Sequence, residues 1–309
     1  MRISQVGGII AAASQKVARP MLQVGSIPII RRIVITFQQA GVFPIVVITG
    51  VDEDKVKYEL ADYGVIFIST DLSANPKLLE CAKIGMGYLQ GKCDRVVFTP
   101  VNNPMFTPDT LQRLIHAEGD MVSPSCEGHC GHPFVLSAGA LRHILDYQGD
   151  GGLPEALEPV SRGRTTVEVD DRGILLSVHD EEELQKQLES HNQAILHPRV
   201  RVTIEREAPF FNARLKLLLF LISDTNNMRK ACGAMALSYG NAWDMINRLE
   251  RELGYFVVER TQGGRRGGRT SLTAQGETFL LACQKYEETV FQFAQKQFQD
   301  MFILSKIIR

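Results

Sequence analysis

Residues 213–273, ARLKLLLFLISDTNNMRKACGAMALSYGNAWDMINRLERELGYFVVERTQGGRRGGRTSLT, constrain the chain most, because they string three helical patterns and a basic loop together without a break. Leu215, Leu218, Leu219 and Ile222 recur at helical spacing in the first pattern, Met228, Cys232 and Met235 in the second, and Ala242, Ile246, Leu249 and Leu253 in the third. Asn226 and Asn227 are candidate caps for the second helix and Ser238 for the third, while Gly254 stands where the third would end. Only Ala236 and Leu237 are left between the second and third, a turn tight enough to set them at a steep angle. Phe256 to Glu259 then reads as a short strand and Ser271 to Thr273 as its return.

The loop between these strands holds Gly263, Gly264, Gly267 and Gly268 together with Arg260, Arg265, Arg266 and Arg269. From Phe256 to Ser271 only Glu259 opposes the four arginines, a local excess of three positive charges. Glycines let backbone N–H groups come close to a duplex, and arginines neutralise phosphates and release counterions. Double-stranded DNA is therefore the predicted partner. The whole chain, with 34 Lys and Arg against 35 Asp and Glu, is no polycation, so any such attraction is local.

SYGNAWDMINRLERELG followed by VVERTQGGRRGGRTSLTAQG resembles the DNA-binding domain of ModE-type molybdate-responsive regulators and, more distantly, of LysR-type regulators. The resemblance covers about residues 199–285. It implies a winged helix-turn-helix that acts as a homodimer on a two-fold symmetric operator. Carried over by position, Ser238, Tyr239 and Asn241 are candidates for base or phosphate contacts, and Arg260, Arg265, Arg266 and Arg269 for phosphate. Basic residues are common in that family where Gly240 and Asn241 stand here, so a different operator is expected.

Upstream, strand and helix patterns alternate: Val6–Ala12 strand, Ile29–Ala40 helix, Ile45–Thr49 strand, Asp54–Ala61 helix, Val65–Ser69 strand, Lys77–Leu89 helix, Val96–Phe98 strand, Thr107–Glu118 helix. This alternation predicts an α/β domain with a mostly parallel sheet and ligands at the carboxyl ends of its strands. The order of VGGIIAAASQK, PIVVITG, FTPVNNPMFTPDTL, GHPFVLS, GDGGLPEAL and LLSVHDEEEL resembles the MobA-like nucleotidyltransferases, in particular the branch that attaches CMP to the molybdenum cofactor. The resemblance implies a Rossmann-like fold and a pocket for CTP or GTP with Mg²⁺, or for a molybdopterin-type ligand. It maps that pocket onto Ala13, Ser14, Lys16, Asn102, Gly131, His132, Pro133, Asp150 and Gly152.

The chemistry implied by the resemblance is not matched residue for residue. Ala13 replaces the family's loop glycine, Val17 and Met21 stand at or near its basic positions, and Lys16 and Arg19 are offset from them. Asn102 replaces one metal-binding carboxylate, and Ser177 and His179 occupy the aspartate positions of the second metal motif, read as a strand end beside Asp180 and Glu181. Neutral ligands bind Mg²⁺ poorly, because a hard dication wants anionic oxygen. A degenerate transferase acting as a sensor is therefore expected. The segment CEGHCGH places Cys126, His129 and Cys130 close together as weak candidates for a soft metal, against the plainer reading of a hairpin with incidental cysteines.

Length alone argues for about two domains, since single cores rarely grow beyond ~250–300 residues. The expected layout is a nucleotidyltransferase-like domain over 1–192, a winged helix-turn-helix over 199–275 and a dimerisation helix over 276–309, where Phe279, Cys283, Tyr286, Val290 and Phe293 form a heptad-like stripe. Arg199 to Glu205 reads as a strand of the second domain. The first residues imitate a secretory signal, but Val6–Ala12 reads as a buried strand and DNA binding demands a cytoplasmic location. No apolar run is long enough for a membrane span. The expected function is a transcription regulator linked to molybdenum cofactor or molybdoenzyme metabolism. The alternatives are a bifunctional CTP- or GTP-dependent transferase that also binds DNA, and a DNA-tethered interaction scaffold with an empty pocket.

Overall fold

The computed structural model describes residues 6–13, 19–50, 52–70, 77–179, 181–261 and 269–304. It divides into two compact units, Met1–Leu60 with Ile66–Leu196, and Ala61–Val65 with His197–Arg309.

The first unit begins with β1 (Val6–Ala11), β2 (Gln23–Val24), β3 (Ile27–Pro28), α1 (Ile29–Gln39), β4 (Ile45–Thr49), α2 (Glu53–Glu59), β5 (Ile66–Ser69) and α3 (Leu78–Leu89). It continues with β6 (Arg95–Pro100), α4 (Pro108–His116), β7 (Met121–Cys126), β8 (His129–Cys130), β9 (Phe134–Ser137), α5 (Ala138–Asp146), α6 (Gly152–Ser161), β10 (Thr165–Glu168) and α7 (Glu181–Ala194). Its sheet runs β10-β7-β9-β6-β1-β4-β5, with β8 added to β7. The β6-β1-β4-β5 block and the β10-β7 pair are parallel, and antiparallel β9 joins them.

Two adjacent glycines in β1 explain how helices cover both faces. A Cβ at Gly7 would lie 2.8 Å from Cys93 Sγ and from Leu89 at the end of α3, whereas one at Gly8 would lie 2.6 Å from the Phe37 ring of α1. Neighbouring strand residues point to opposite faces, so the VGGII run lets α1 settle on one face and α3 on the other. The helices sort accordingly, α1 packing with α4 and α3 with α5 and α6. Ile9, Ile10, Val46, Val47, Val96 and Val97 between the layers are fully buried, which accounts for the near-continuous apolar reading of these strands.

The second unit contains β11 (Ile204–Glu205), β12 (Pro209–Phe211), α8 (Ala213–Thr225), α9 (Met228–Ala234), α10 (Tyr239–Leu253), β13 (Val258–Thr261), β14 (Arg269–Leu272) and α11 (Ala274–Phe298). β13 and β14 pair antiparallel. Asn227 caps α9 by accepting from Lys230 N, Ser238 caps α10 by accepting from Asn241 N, and Gly254 closes α10 at φ 77°. Between α9 and α10 the chain turns with Ala236 at φ 49°, a left-handed conformation costly for a residue with a Cβ. Glu250 of α10 accepts from the N–H groups of Val257 and Val258, fixing the start of β13.

Several sequence expectations need correction. Asn226 does not cap α9; it ends α8 in the left-handed region at φ 48°, because Asn227 already supplies the cap. The strand expected over Arg199–Glu205 shrinks to the two residues of β11, paired with β12. The segment carrying Ser177 and His179 is no strand end: a 3-10 turn at Arg172–Ile174 leads through a loop into α7, which runs past residue 192. Phe279 and Cys283 do not extend an outward stripe, since Phe279 meets Phe211 edge-on at 5.3 Å and Cys283 is buried in its own unit. Lys216 of α8 pairs with Glu287 near the middle of α11, tying α11 to α8. Tyr286 and Phe293 on α11 remain exposed, and a π-helical turn follows the helix at Gln299–Ile303.

Candidate functional site

In the first unit Ala13 and Asn102 stand just beyond the ends of the adjacent strands β1 and β6. Ala13 follows β1 and is buried, and Gly50 after β4 lies against it so closely that a Cβ at Gly50 would be 2.5 Å from the Ala13 carbonyl oxygen. Ser14, Lys16, Val17 and Asp180 lie outside the described residues.

Asn102 and His132 are brought to a common strap, the segment 171–178. The Asn102 carbonyl accepts from Val178 N at 2.9 Å, Asn103 Nδ2 donates to Leu176 O at 2.9 Å, and His132 N donates to Ile174 O at 3.0 Å. A Cβ at Gly131 would sit 2.2 Å from Ile174 O, so this approach demands glycine. The strap is anchored by Asp171, whose Oδ2 accepts from Thr107 N, Thr107 Oγ1 and Thr110 Oγ1 at 2.9, 2.9 and 2.6 Å, and whose Oδ1 accepts from Gly173 N at 3.0 Å. Sequence reasoning missed Asp171; the signal was the glycine two residues after an aspartate, a turn pattern. Asp150 and Gly152 lie on the turn from α5 into α6, Asp150 exposed and Gly152 at φ 78°. Among the described residues no hydrogen bond links that turn to Asn102 or His132.

Two polar atoms here are buried without a hydrogen-bond partner among the described residues, Asn102 Oδ1 and His132 Nδ1. Desolvation pushes the His132 imidazole down to about 4, so it is neutral at neutral pH. A buried polar atom left unpaired costs stability, and a ligand group that paired with either would recover that cost. The donor set does not fit Mg²⁺. Asn102 is neutral, Ser177 and His179 carry no negative charge, and the strap's buried carboxylate, Asp171, is taken up by four hydrogen bonds. The cysteine cluster is a hairpin that splits its donors: Cys126 is buried opposite His129, whereas Cys130 pairs with Ser125 and so faces the other side.

A second buried network went unseen in the sequence. Arg32 of α1 is 1% exposed and donates to Val24 O through Nε and Nη2, and to His191 Nδ1 at 3.2 Å and Asn192 Oδ1 at 2.8 Å through Nη1. His191 Nε2 lies 3.3 Å from Phe106 O. Burial and the adjacent guanidinium push His191 down to about 4.

In the second unit Ser238 spends its hydroxyl on the cap, leaving Tyr239 and Asn241 exposed on the first turn of α10. Tyr239 meets Trp243 edge-on at 6.0 Å, Arg229 of α9 lies 5.8 Å from the Tyr239 ring, and the Arg260 guanidinium of β13 lies 3.3 Å over the Trp243 ring. Arg269 instead donates to Asn226 Oδ1 at 3.1 Å, which ties β14 to the end of α8. Arg265 and Arg266 lie outside the described residues. Arg229 and Trp243 had not been singled out; the i, i+4 spacing of Tyr239 and Trp243 was the available signal.

Comparison with known proteins bears mainly on the first unit. Residues 14–166 match the family model of the MobA-like NTP transferase domain. A nucleotidyl transferase from Methanothermobacter thermautotroptrophicus superposes with a TM-score of 0.51 at 19% identity, covering 60% of this chain and 98% of that one. The 4-diphosphocytidyl-2C-methyl-D-erythritol synthase from Anaerococcus prevotii gives 0.51 at 12% identity, covering 60% and 99%. At such identities these likenesses establish the fold. Over 81 residues, 26% of its length, the chain is 33% identical to the molybdenum-pterin-binding protein MopB of Rhodobacter capsulatus, of which it spans 30%.

Proposed function

We propose that this chain, whose first unit carries a MobA-like NTP transferase domain, is a DNA-binding transcription regulator in which that domain senses a ligand instead of transferring nucleotides. The observation that carries the reading is the face of α9, α10 and β13 where two cations, Arg229 and Arg260, flank the paired rings of Tyr239 and Trp243 beside the exposed first turn of α10. A helix-turn-helix with a following hairpin offers such a face to a duplex: α10 enters the major groove and the hairpin, as a wing, meets phosphates. Tyr239 and Asn241 read base edges, and the wing arginines neutralise the backbone. Exposed Tyr286 and Phe293 on α11 suit a two-fold partner, which would set the spacing of two half-sites.

In the first unit, Asn102 and the hydrogen-bonded Asp171 offer Mg²⁺ no carboxylate pair among the described residues, which supports the loss of nucleotidyl transfer, while the buried, unpaired Asn102 Oδ1 and His132 Nδ1 remain as polar groups for a ligand. Neutral His132 and Asn102 suit an uncharged heterocycle with its own donors and acceptors. The likeness to a molybdenum-pterin-binding protein supports a pterin- or molybdenum-related ligand as the signal, and a cytoplasmic location follows from the DNA partner. Selection of duplexes from a random-sequence pool by the purified full chain tests the reading. Enrichment of a two-fold symmetric site is expected; a pool that stays random at low salt would overturn it.

A further inference from the structure

We infer that Trp243, the chain's sole tryptophan, is a positioning residue that holds the Arg260 guanidinium, and with it the base of the β13–β14 hairpin, against α10 in the geometry that meets nucleic acid phosphate. The inference rests on the proposed DNA-binding role of the second unit. Arg260 and Trp243 belong to different elements, β13 and α10, and the 3.3 Å from guanidinium carbon to ring centroid is a face-on stack. Stacking occupies the face of the guanidinium and leaves its in-plane N–H groups pointing outward, the edge that forms bidentate bonds with phosphate. Among the described residues no hydrogen bond or ion pair takes up those N–H groups, in contrast to Arg269, which is committed to Asn226.

The indole therefore does for Arg260 what a carboxylate partner could not: it fixes the cation without cancelling its charge. Arg229 over Tyr239, and Tyr239 against Trp243, continue the same arrangement onto α9, so one chain of rings and cations spans α9, α10 and β13. A wing arginine held in this way reaches a phosphate with less rotamer entropy left to lose than one on a free stem. The consequence is coupling: removing the indole should cost DNA affinity only while Arg260 is present.

The test is a double-mutant cycle with Trp243→Leu and Arg260→Gln in the full chain, read by fluorescence anisotropy on a labelled random-sequence duplex about 30 base pairs long across a salt series. Each single variant is expected to weaken binding about 5-fold and to reduce the salt slope by about one. The double variant should fall no more than about 2-fold below either single one. Trp243→Phe, which keeps a ring, should recover most of the loss, and Arg260→Gln should shift the Trp243 emission before any DNA is added. Additive losses near ~25-fold, or a Trp243→Leu variant with an unchanged salt slope, would overturn the positioning role while leaving the DNA-binding reading intact. Failure of the wild-type chain to bind the duplex even at low salt would overturn both.

Discussion

Lowering the pH should weaken the first unit through its buried histidines, His132 and His191, and the contribution of His191 can be isolated. His191 is 3% exposed on α7, accepts at Nδ1 from the Arg32 guanidinium and lies with Nε2 toward Phe106 O, so the proton of the neutral ring sits on Nε2. A second proton could go only to Nδ1, against the N–H of Arg32. Burial first, and the adjacent Arg32 charge second, push the folded-state value from 6.5 to about 4. A depressed folded-state value means that the stabilisation is complete above the unfolded value of 6.5 and is lost as pH falls toward about 4. Between about pH 7.5 and about pH 5 the linkage relation gives a loss of about 2 kcal/mol from this residue. The assay is urea unfolding across that range, following the transition of the first unit, for the wild type and His191→Gln. Glutamine can still accept from Arg32 and donate to Phe106 O but cannot titrate. The variant should lose about 2 kcal/mol less than the wild type over the interval. Identical pH slopes would refute the reasoning, whatever the variant's stability at neutral pH.

Other expectations follow from the same geometry. Millimolar CTP or GTP should raise the unfolding temperature no more with Mg²⁺ than without it, because among the described residues Asn102 and the hydrogen-bonded Asp171 offer the ion no carboxylate pair; a clear Mg²⁺-dependent shift would revive the transferase reading. Asp171→Ala leaves Thr107 N, Thr110 Oγ1 and Gly173 N without their acceptor and should cost about 3 kcal/mol by denaturant unfolding, against less than about 1 kcal/mol if the strap has other anchors. Ala236→Gly relieves the left-handed turn between α9 and α10 and should raise the stability of the second unit by up to about 1 kcal/mol; a loss would mean that the turn adapts to alanine.

What could be read in the sequence differs between the two units for physical reasons. The helices of the second unit were legible because their caps are local: Asn227, Ser238 and Gly254 each act within one turn, so spacing alone locates them. Asn226 misled because the same side chain can cap a helix or adopt the left-handed region, and which it does depends on the neighbouring cap. In the first unit, β-branched runs and intervening helices revealed the parallel block, whereas β9, which joins it to the β10-β7 pair, is set by long-range pairing that no local pattern encodes. The segment carrying Ser177 and His179 was read as a strand end; its real shape, a strap from Asp171 to Val178, comes from tertiary bonds to Thr107, Asn102 and His132. Arg32 and His191 lie far apart in sequence, so their contact was invisible. On α11 the heptad stripe was partly an intramolecular seam, with Phe279 on Phe211 and Cys283 buried, and only from Tyr286 onward does it leave rings exposed.

The measurement that bears most directly on a sensor joined to a DNA-binding unit is the affinity of the full chain for its selected duplex with and without molybdate, a reduced pterin or a nucleotide. Coupling between two sites is reciprocal, so a ligand that binds the first unit and acts on the second must shift DNA affinity, typically by ~5-fold or more, and bound DNA must shift ligand affinity by the same factor. The account predicts such a reciprocal shift for a pterin- or molybdenum-related ligand without any release of pyrophosphate. Tight DNA binding unaffected by each of these ligands would contradict the sensing role, and pyrophosphate release from CTP or GTP would contradict the loss of transfer chemistry.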